Sequence, residues 1–287
     1  MAACFALPGT MVAQQPALRI ETDVSYGIAD GKPLLLDVYR LPDKISRPAI
    51  VFVHGGGWTS GDKSGFSDMA QDFARRGFVC FAVNYRLVTE PPAASHFPDQ
   101  LDDIQRAVRW ILAHAATYGI EPKRIGALGG SAGGQLAALL GEFDTRDNRP
   151  QELSNYSSRV QCVVDMYGPA DLTTSFTGVP DLDVQALVNL FLGGTVKQKP
   201  DVFLAASPIF HIDSATAQFL IFHGTDDPIV PVEQSRRFAH ALQEKGIPVT
   251  YIEFPGEQHG FVKPADVDKF ASASTQFFDS CLKRPAT

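Results

Sequence analysis

Residues 129–133 read Gly-Gly-Ser-Ala-Gly, a G-x-S-x-G pattern placed directly after a strand-like run at 124–128 and directly before a helical run at 135–140. A serine on so sharp a strand-to-helix turn takes strained backbone angles that lift its Oγ above a sheet, while flanking glycines let strand and helix pass closely. The helix that follows aims its N-terminus at the same point and favours negative charge developing there. Ser131 is therefore the candidate nucleophile. The competing reading is a glycine-rich turn that only joins two elements.

A serine hydroxyl is a weak nucleophile, so it needs a base, and the base needs an acid partner to fix its tautomer. The apolar run 219–222 leads into His223-Gly224-Thr225-Asp226-Asp227-Pro228, at the end of a strand where such sheets place functional groups, and either aspartate suits the acid. The run 249–254 leads into Pro255-Gly256-Glu257-Gln258-His259-Gly260-Phe261, which puts His259 on a glycine-flanked loop. Of the seven histidines, His259 alone follows a late strand with turn residues on both sides. His96, His114, His211 and His240 lack that context, whereas His54 and His223, strand-end histidines beside glycine, suit hydrogen bonding that holds a loop.

A second glycine cluster, His54-Gly55-Gly56-Gly57-Trp58, follows the apolar run 49–53. Three successive glycines seldom serve packing. They allow backbone N–H groups to approach a substrate oxygen, so Gly56 and Gly57, with the Ala132 N–H, are the expected oxyanion donors, each worth about 3 kcal/mol in a transition state. A flexible turn is the alternative. Trp58, Phe66 and Tyr167 are the aromatic residues expected to line a substrate pocket, with ordinary core packing as the competing role.

The elements that must carry these residues alternate short apolar runs with longer amphipathic ones, which predicts an α/β fold with a mostly parallel sheet of about eight strands flanked by helices. Runs 19–26 and 33–40, joined by an Asp-Gly turn, predict an antiparallel edge hairpin. Runs 49–53 and 78–83 suit strands buried on both faces, with a helix at 68–76 between them stopped by Gly77. Residues 99–118 place Leu101, Ile104, Val108, Ile111 and Leu112 on one helical face, with Asp99, Asp102 and Asp103 near its positive end. A strand at 160–166, a helix at 232–245, a strand at 249–254 and a helix at 265–282 complete the pattern. Residues 18–287 thus form one domain, with a Gly-, Pro- and Asp-rich cap-like insertion at about 169–202.

The composition, 45% hydrophobic and 20% charged, is that of a soluble globular chain able to bury a large core. Its net charge of −7, with dispersed Lys and Arg, gives no basic stripe for a nucleic acid. No cofactor or metal is expected, since the four cysteines lie far apart with no C-x-x-C pair and read as buried structural thiols. Residues 1–17, small and apolar but without a basic start, read either as the remnant of an export signal, implying a periplasmic or secreted protein, or as a disordered start. No later stretch has the roughly 20 apolar residues that a membrane span needs. Oligomeric state, a homodimer included, stays open.

These residues resemble the α/β-hydrolase esterases of the hormone-sensitive lipase and related bacterial carboxylesterase groups. His54-Gly55-Gly56-Gly57-Trp58 is similar to that family's oxyanion motif, Asn84-Tyr85-Arg86-Leu87 to its tyrosine-arginine-leucine signature, Phe97-Pro98 with Asp103 to the segment that follows, and 129–134 to its elbow. The chain order Ser, Asp, His is also that fold's order. The loop at 223–231 more closely resembles that of acetyl-xylan and feruloyl esterase-like enzymes and of prolyl-oligopeptidase-type peptidases, in which the acid is the fourth residue after the histidine, here Asp227. The resemblance implies a serine carboxylesterase acting on short-chain acyl esters, with glycan acetyl or feruloyl esters as a narrower reading. Amide hydrolysis, as in small peptidases or formamidases, and a non-enzymatic binding module are the readings from other classes. Asp227→Asn is expected to lower kcat by on the order of 10⁴-fold while Asp226→Asn stays close to the parent, and the reverse order in steady-state assays would move the acid to Asp226.

Overall fold

The computed structural model describes residues 17–88, 95–144, 153–180 and 182–282; the expected export signal and Cys4 fall outside them. Eight strands form one sheet in the order β1-β2-β4-β3-β5-β6-β7-β8. β1 (Arg19–Ala29) and β2 (Lys32–Arg40) are the edge hairpin, turned by Asp30 and Gly31 with φ of 50° and 73°. Two successive positive φ values match the right-handed twist of the strands, which is the use of Asp-Gly in such turns. β2 pairs antiparallel with β4 (Val79–Val83), and every pairing from there through β3 (Arg47–Val53), β5 (Ile120–Gly130), β6 (Cys162–Met166), β7 (Gln218–Gly224) and β8 (Val249–Phe254) is parallel.

Parallel strands need crossover helices, and these cover both faces. Strand residues alternate between two cores. Ile50, Phe52, Leu128, Val164 and Phe222 face α1 (Ser67–Arg75) and α8 (Pro264–Leu282), whose Phe73, Phe270 and Phe278 fill that side. Val51, Val53, Ala127, Val163 and Ile221 face α2 (Asp99–Ala113), α4 (Ala132–Glu142) and α7 (Glu233–Glu244). With both faces buried, the continuous apolar runs in the sequence are what the sheet requires. The connection from β6 to β7 departs from a plain crossover and carries two short helices, α5 (Val184–Phe191) and α6 (Pro200–Ala205). Among the described residues no helix is long and apolar enough to cross a membrane.

Two expectations change. The single helix at 99–118 is broken at His114, whose ψ of 17° leaves helical geometry and whose ring stacks on Trp110, so that α3 (Ala115–Tyr118) forms separately and stops at Gly119, φ 67°. The cysteines are not all free thiols: Cys162 on β6 and Cys281 on α8 form a disulfide, and Cys80 stays reduced and buried. Packing of the last helix over the middle of the sheet brings the pair together, across a sequence separation of 119 that no local motif reveals.

Closing a loop of that length restricts the unfolded chain by about 3–5 kcal/mol in the chain-entropy account. Replacing Cys162 and Cys281 together by alanine should therefore lower the urea midpoint clearly, and reductant should do the same to the parent but not to the double variant. An unchanged midpoint would show that the bond contributes nothing.

Candidate active site

The six parallel strands β3 to β8 all end at one edge, and the loops leaving that edge hold the residues singled out above. Ser131 forms the one-residue turn between β5 and α4 with φ 56° and ψ −124°. Its N–H donates to Met166 O on the neighbouring strand at 2.8 Å, and its carbonyl accepts the Gln135 N–H at 3.1 Å. The turn is possible because of Gly133: a Cβ there would stand 2.0 Å from Val53 O, so the start of α4 rests directly on the end of β3.

The three polar groups meet in one line. His259 Nε2 lies 2.8 Å from Ser131 Oγ, and His259 Nδ1 lies 2.7 Å from Asp227 Oδ2. Nδ1–H donates to the carboxylate, and Nε2 is left to accept the serine hydroxyl proton. The Asp227 side chain is inaccessible to solvent, and its Oδ1 accepts the N–H groups of Ile229 and Val230 at 2.8 and 2.9 Å. Burial alone would raise this carboxyl, but the hydrogen bonds from His223 and His259 outweigh it and hold it well below the usual carboxylate range. Asp226, the other sequence candidate, is exposed and its side chain accepts from the Thr225 hydroxyl. The loop carrying His259 is fastened by buried Glu257, whose Oε1 accepts from the Val262 and Lys263 N–H groups at 3.1 and 2.7 Å.

The 55–57 glycines curl beside the serine. Gly56 has φ 110°, its carbonyl accepts the Thr59 and Ser60 N–H groups at 3.1 and 3.0 Å, and a Cβ would meet Ser60 O at 2.1 Å, so no larger residue fits the curl. The segment after β4 braces it. Asn84 accepts the Lys63 N–H and donates to Asp62, Tyr85 donates to His54 O at 2.9 Å while stacking on the His54 ring, and Arg86 makes a two-pronged pair with buried Asp103. Asp103 thus serves Arg86 more than the end of α2 where the sequence put it. His54 does hold its loop, with Nδ1 2.8 Å from Gly55 O, and burial lowers its pKa.

A cavity of about 790 Å³ opens over Ser131 and His259 and includes Gly56, Gly57 and Ala132 in its wall. Trp58, Phe66 and Tyr167 all line it. Trp58 is the most committed to packing, with its ring stacked 4.2 Å from Phe191 and its Nε1–H donating to Gln135 at 3.0 Å. Tyr167 lies 4.6 Å from the His259 ring, and burial, with Asp227 and Asp165 nearby, raises its phenol to about 12. The β6–β7 connection adds an apolar lining of Phe176, Leu182, Val184, Leu187 and Val188, and the segment after the glycines adds Thr59, Ser60, Asp62 and Ser64. Sequence reasoning located the insertion at about 169–202 but not which of its residues line the cavity, and it missed Thr59, Ser60, Asp62 and Ser64, since apolar and small polar types carry no chemical signature. It also missed Asp165, a carboxyl buried on β6 beneath the elbow.

The sheet order, the strand-to-helix serine and the loops at one edge define an α/β-hydrolase. The chain matches the BD-FAE family model over residues 36–242 and belongs to that family. It is 32% identical over 244 residues to the probable carboxylic ester hydrolase LipM of Mycobacterium tuberculosis, covering 83% of this chain and 56% of that one. The chain spans a little over half the length of that relative and of the esterases LipQ and LipC from the same organism, at 58% and 59%. Among solved structures it is similar to a truncated carbohydrate esterase from gut microbiota, with a TM-score of 0.79 and 25% identity over 95% of this chain and 99% of that one. Butyrate-bound esterase Est2 of Thermogutta terrifontis superposes with a TM-score of 0.76 and 30% identity, over 95% and 98% of the two chains.

Burial raises Asp165 to about 6, against the hydrogen bond from the Gly168 N–H. A carboxyl raised by folding binds more protons folded than unfolded, so it costs stability as pH climbs from its unfolded value near 4 through about 6. Asp165→Asn keeps an acceptor for Gly168 and should be more stable than the parent at pH 8, by about 3 kcal/mol, with the difference gone near pH 4. Thermal melts across that range check it; a constant offset at every pH would reject the cause.

Proposed function

We propose that the protein is a serine carboxylesterase that hydrolyses short-chain acyl esters through an acyl-enzyme on Ser131. The observation that carries this reading is the unbroken hydrogen-bonded line from Ser131 through His259 to Asp227, 2.8 and 2.7 Å, at the floor of the cavity. In this reading His259 Nε2 takes the Ser131 proton as Oγ bonds to the ester carbonyl carbon, and Asp227 stabilises the resulting imidazolium. The carbonyl oxygen becomes an oxyanion received by the N–H groups of Gly56, Gly57 and Ala132. Collapse of the adduct breaks the bond to the alcohol oxygen, which leaves with the proton from His259. Water, deprotonated by His259, then cleaves the acyl-Ser131 ester and restores the hydroxyl.

Trp58, Phe66 and Tyr167, with the apolar lining of the cavity, suit a short acyl chain, and the butyrate found in Est2 supports that size. Glycan esters are the second reading. The hydroxyl and carboxylate groups of Thr59, Ser60, Asp62 and Ser64 favour a sugar alcohol, and the likeness to a carbohydrate esterase supports it. The Cys162–Cys281 disulfide supports export to an oxidising compartment.

A fluorophosphonate probe should label the parent at Ser131 and leave Ser131→Ala unlabelled. p-Nitrophenyl acetate and butyrate should be turned over, and acetylated xylan in the same panel separates the two substrate readings. Absence of both labelling and p-nitrophenyl ester turnover would reject the esterase.

A further inference from the structure

The carboxylate of Asp227 is held by more than His259. Its Oδ2, the oxygen that faces His259 Nδ1, also lies 3.2 Å from Nε2 of His223. His223 is the penultimate residue of β7 and is fully buried. Its Nε2 is 2.9 Å from the Val230 carbonyl oxygen, and its Nδ1 is 2.7 Å from Ser235 Oγ on α7. These partners fix the hydrogens. Nε2 faces two acceptors, so it carries a hydrogen, and Nδ1 then accepts from the Ser235 hydroxyl.

We infer that His223 is a positioning residue for the acid: its Nε2–H, shared between Val230 O and Asp227 Oδ2, closes the 227–230 turn and aims Oδ2 at His259. The inference rests on the role proposed for Asp227. Oδ1 is already turned towards the Ile229 and Val230 N–H groups, so the carboxylate plane is set on one side by the turn and on the other by the two imidazoles. Without His223 the Val230 carbonyl loses its buried donor and one of the two rings that hold Oδ2 is gone. A rotation of the carboxyl that breaks the bond to His259 then meets less resistance. The low pKa of Asp227 agrees, since both rings contribute to holding it charged. A histidine kept only to fill space would need neither contact.

The amide pair Gln and Asn tests this, because the amide nitrogen of glutamine reaches the place of Nε2 and that of asparagine only the place of Nδ1. His223→Gln should keep kcat for p-nitrophenyl butyrate within about threefold of the parent. His223→Asn should lose about ten- to a hundredfold in kcat, the scale seen when a group that orients a reacting one is removed, with KM within about twofold. In an Asp227→Asn background His223→Asn should cost nothing further. Equal kcat for the Gln and Asn variants, or the same loss in both backgrounds, would overturn the inference. Should either variant fail to fold, Ser235→Ala decides: a few-fold loss of kcat that vanishes with Asp227→Asn supports it, and parental kcat overturns it. An Asp227→Asn variant with parental kcat would instead remove the reading of Asp227 itself.

Discussion

Ser131 occupies a backbone conformation, φ 56° and ψ −124°, that costs a side-chain-bearing residue about 1–3 kcal/mol, and the surroundings of the cavity are organised to hold it there. The bond from its N–H to Met166 O ties the turn to the next strand, and Gly133 lets the helix sit against the end of β3. Trp58 and Tyr167 share the predicament, with φ of 60° and 46°. Three of the five non-glycine residues of positive φ among those described therefore line the same cavity. Strain of this kind persists only where packing over-determines it, and here a central strand, its two parallel neighbours and α4 supply that packing.

The loops that meet the serine are held in place for a related reason. Each leaves a parallel strand at the same edge, and each is fastened within a few residues by a buried polar group: Tyr85 for His54, Glu257 for the loop of His259, and backbone N–H groups for Asp227. Buried polar atoms of this sort are expensive unless paired, so they tolerate few alternative arrangements. Asp165, raised by burial, is the cost of the same architecture at the base of the elbow.

Much of this was legible in the sequence because the signals were local. The strand-turn-helix around Ser131, the continuous apolar strands and the Asp-Gly hairpin each depend on residues within about a dozen positions of one another. Residue type alone allowed both Asp226 and Asp227, and the likeness of the 223–231 loop pointed to Asp227; the turn at 227–230 encloses that side chain and leaves Asp226 exposed. Pairing of Cys162 with Cys281, the break at His114 and the use of Asp103 by Arg86 likewise depend on tertiary neighbours. The lining of the cavity was hidden for a plainer reason, since Leu182, Val184 and Leu187 differ from core residues only in where the chain takes them.

α5 shows a division of labour. The groups aligned with Ser131 stand on loops a few residues past strand ends that the sheet holds in place, whereas the apolar lining comes from the β6–β7 connection, whose α5 leans on Trp58 through Phe191. Leu187 from that helix reaches to 3.1 Å of where a Cβ on Gly57 would be, so the apolar lining ends directly beside the 55–57 glycines. Substitutions confined to that connection can therefore reshape the apolar lining while the strand ends keep Ser131, His259 and Asp227 in register.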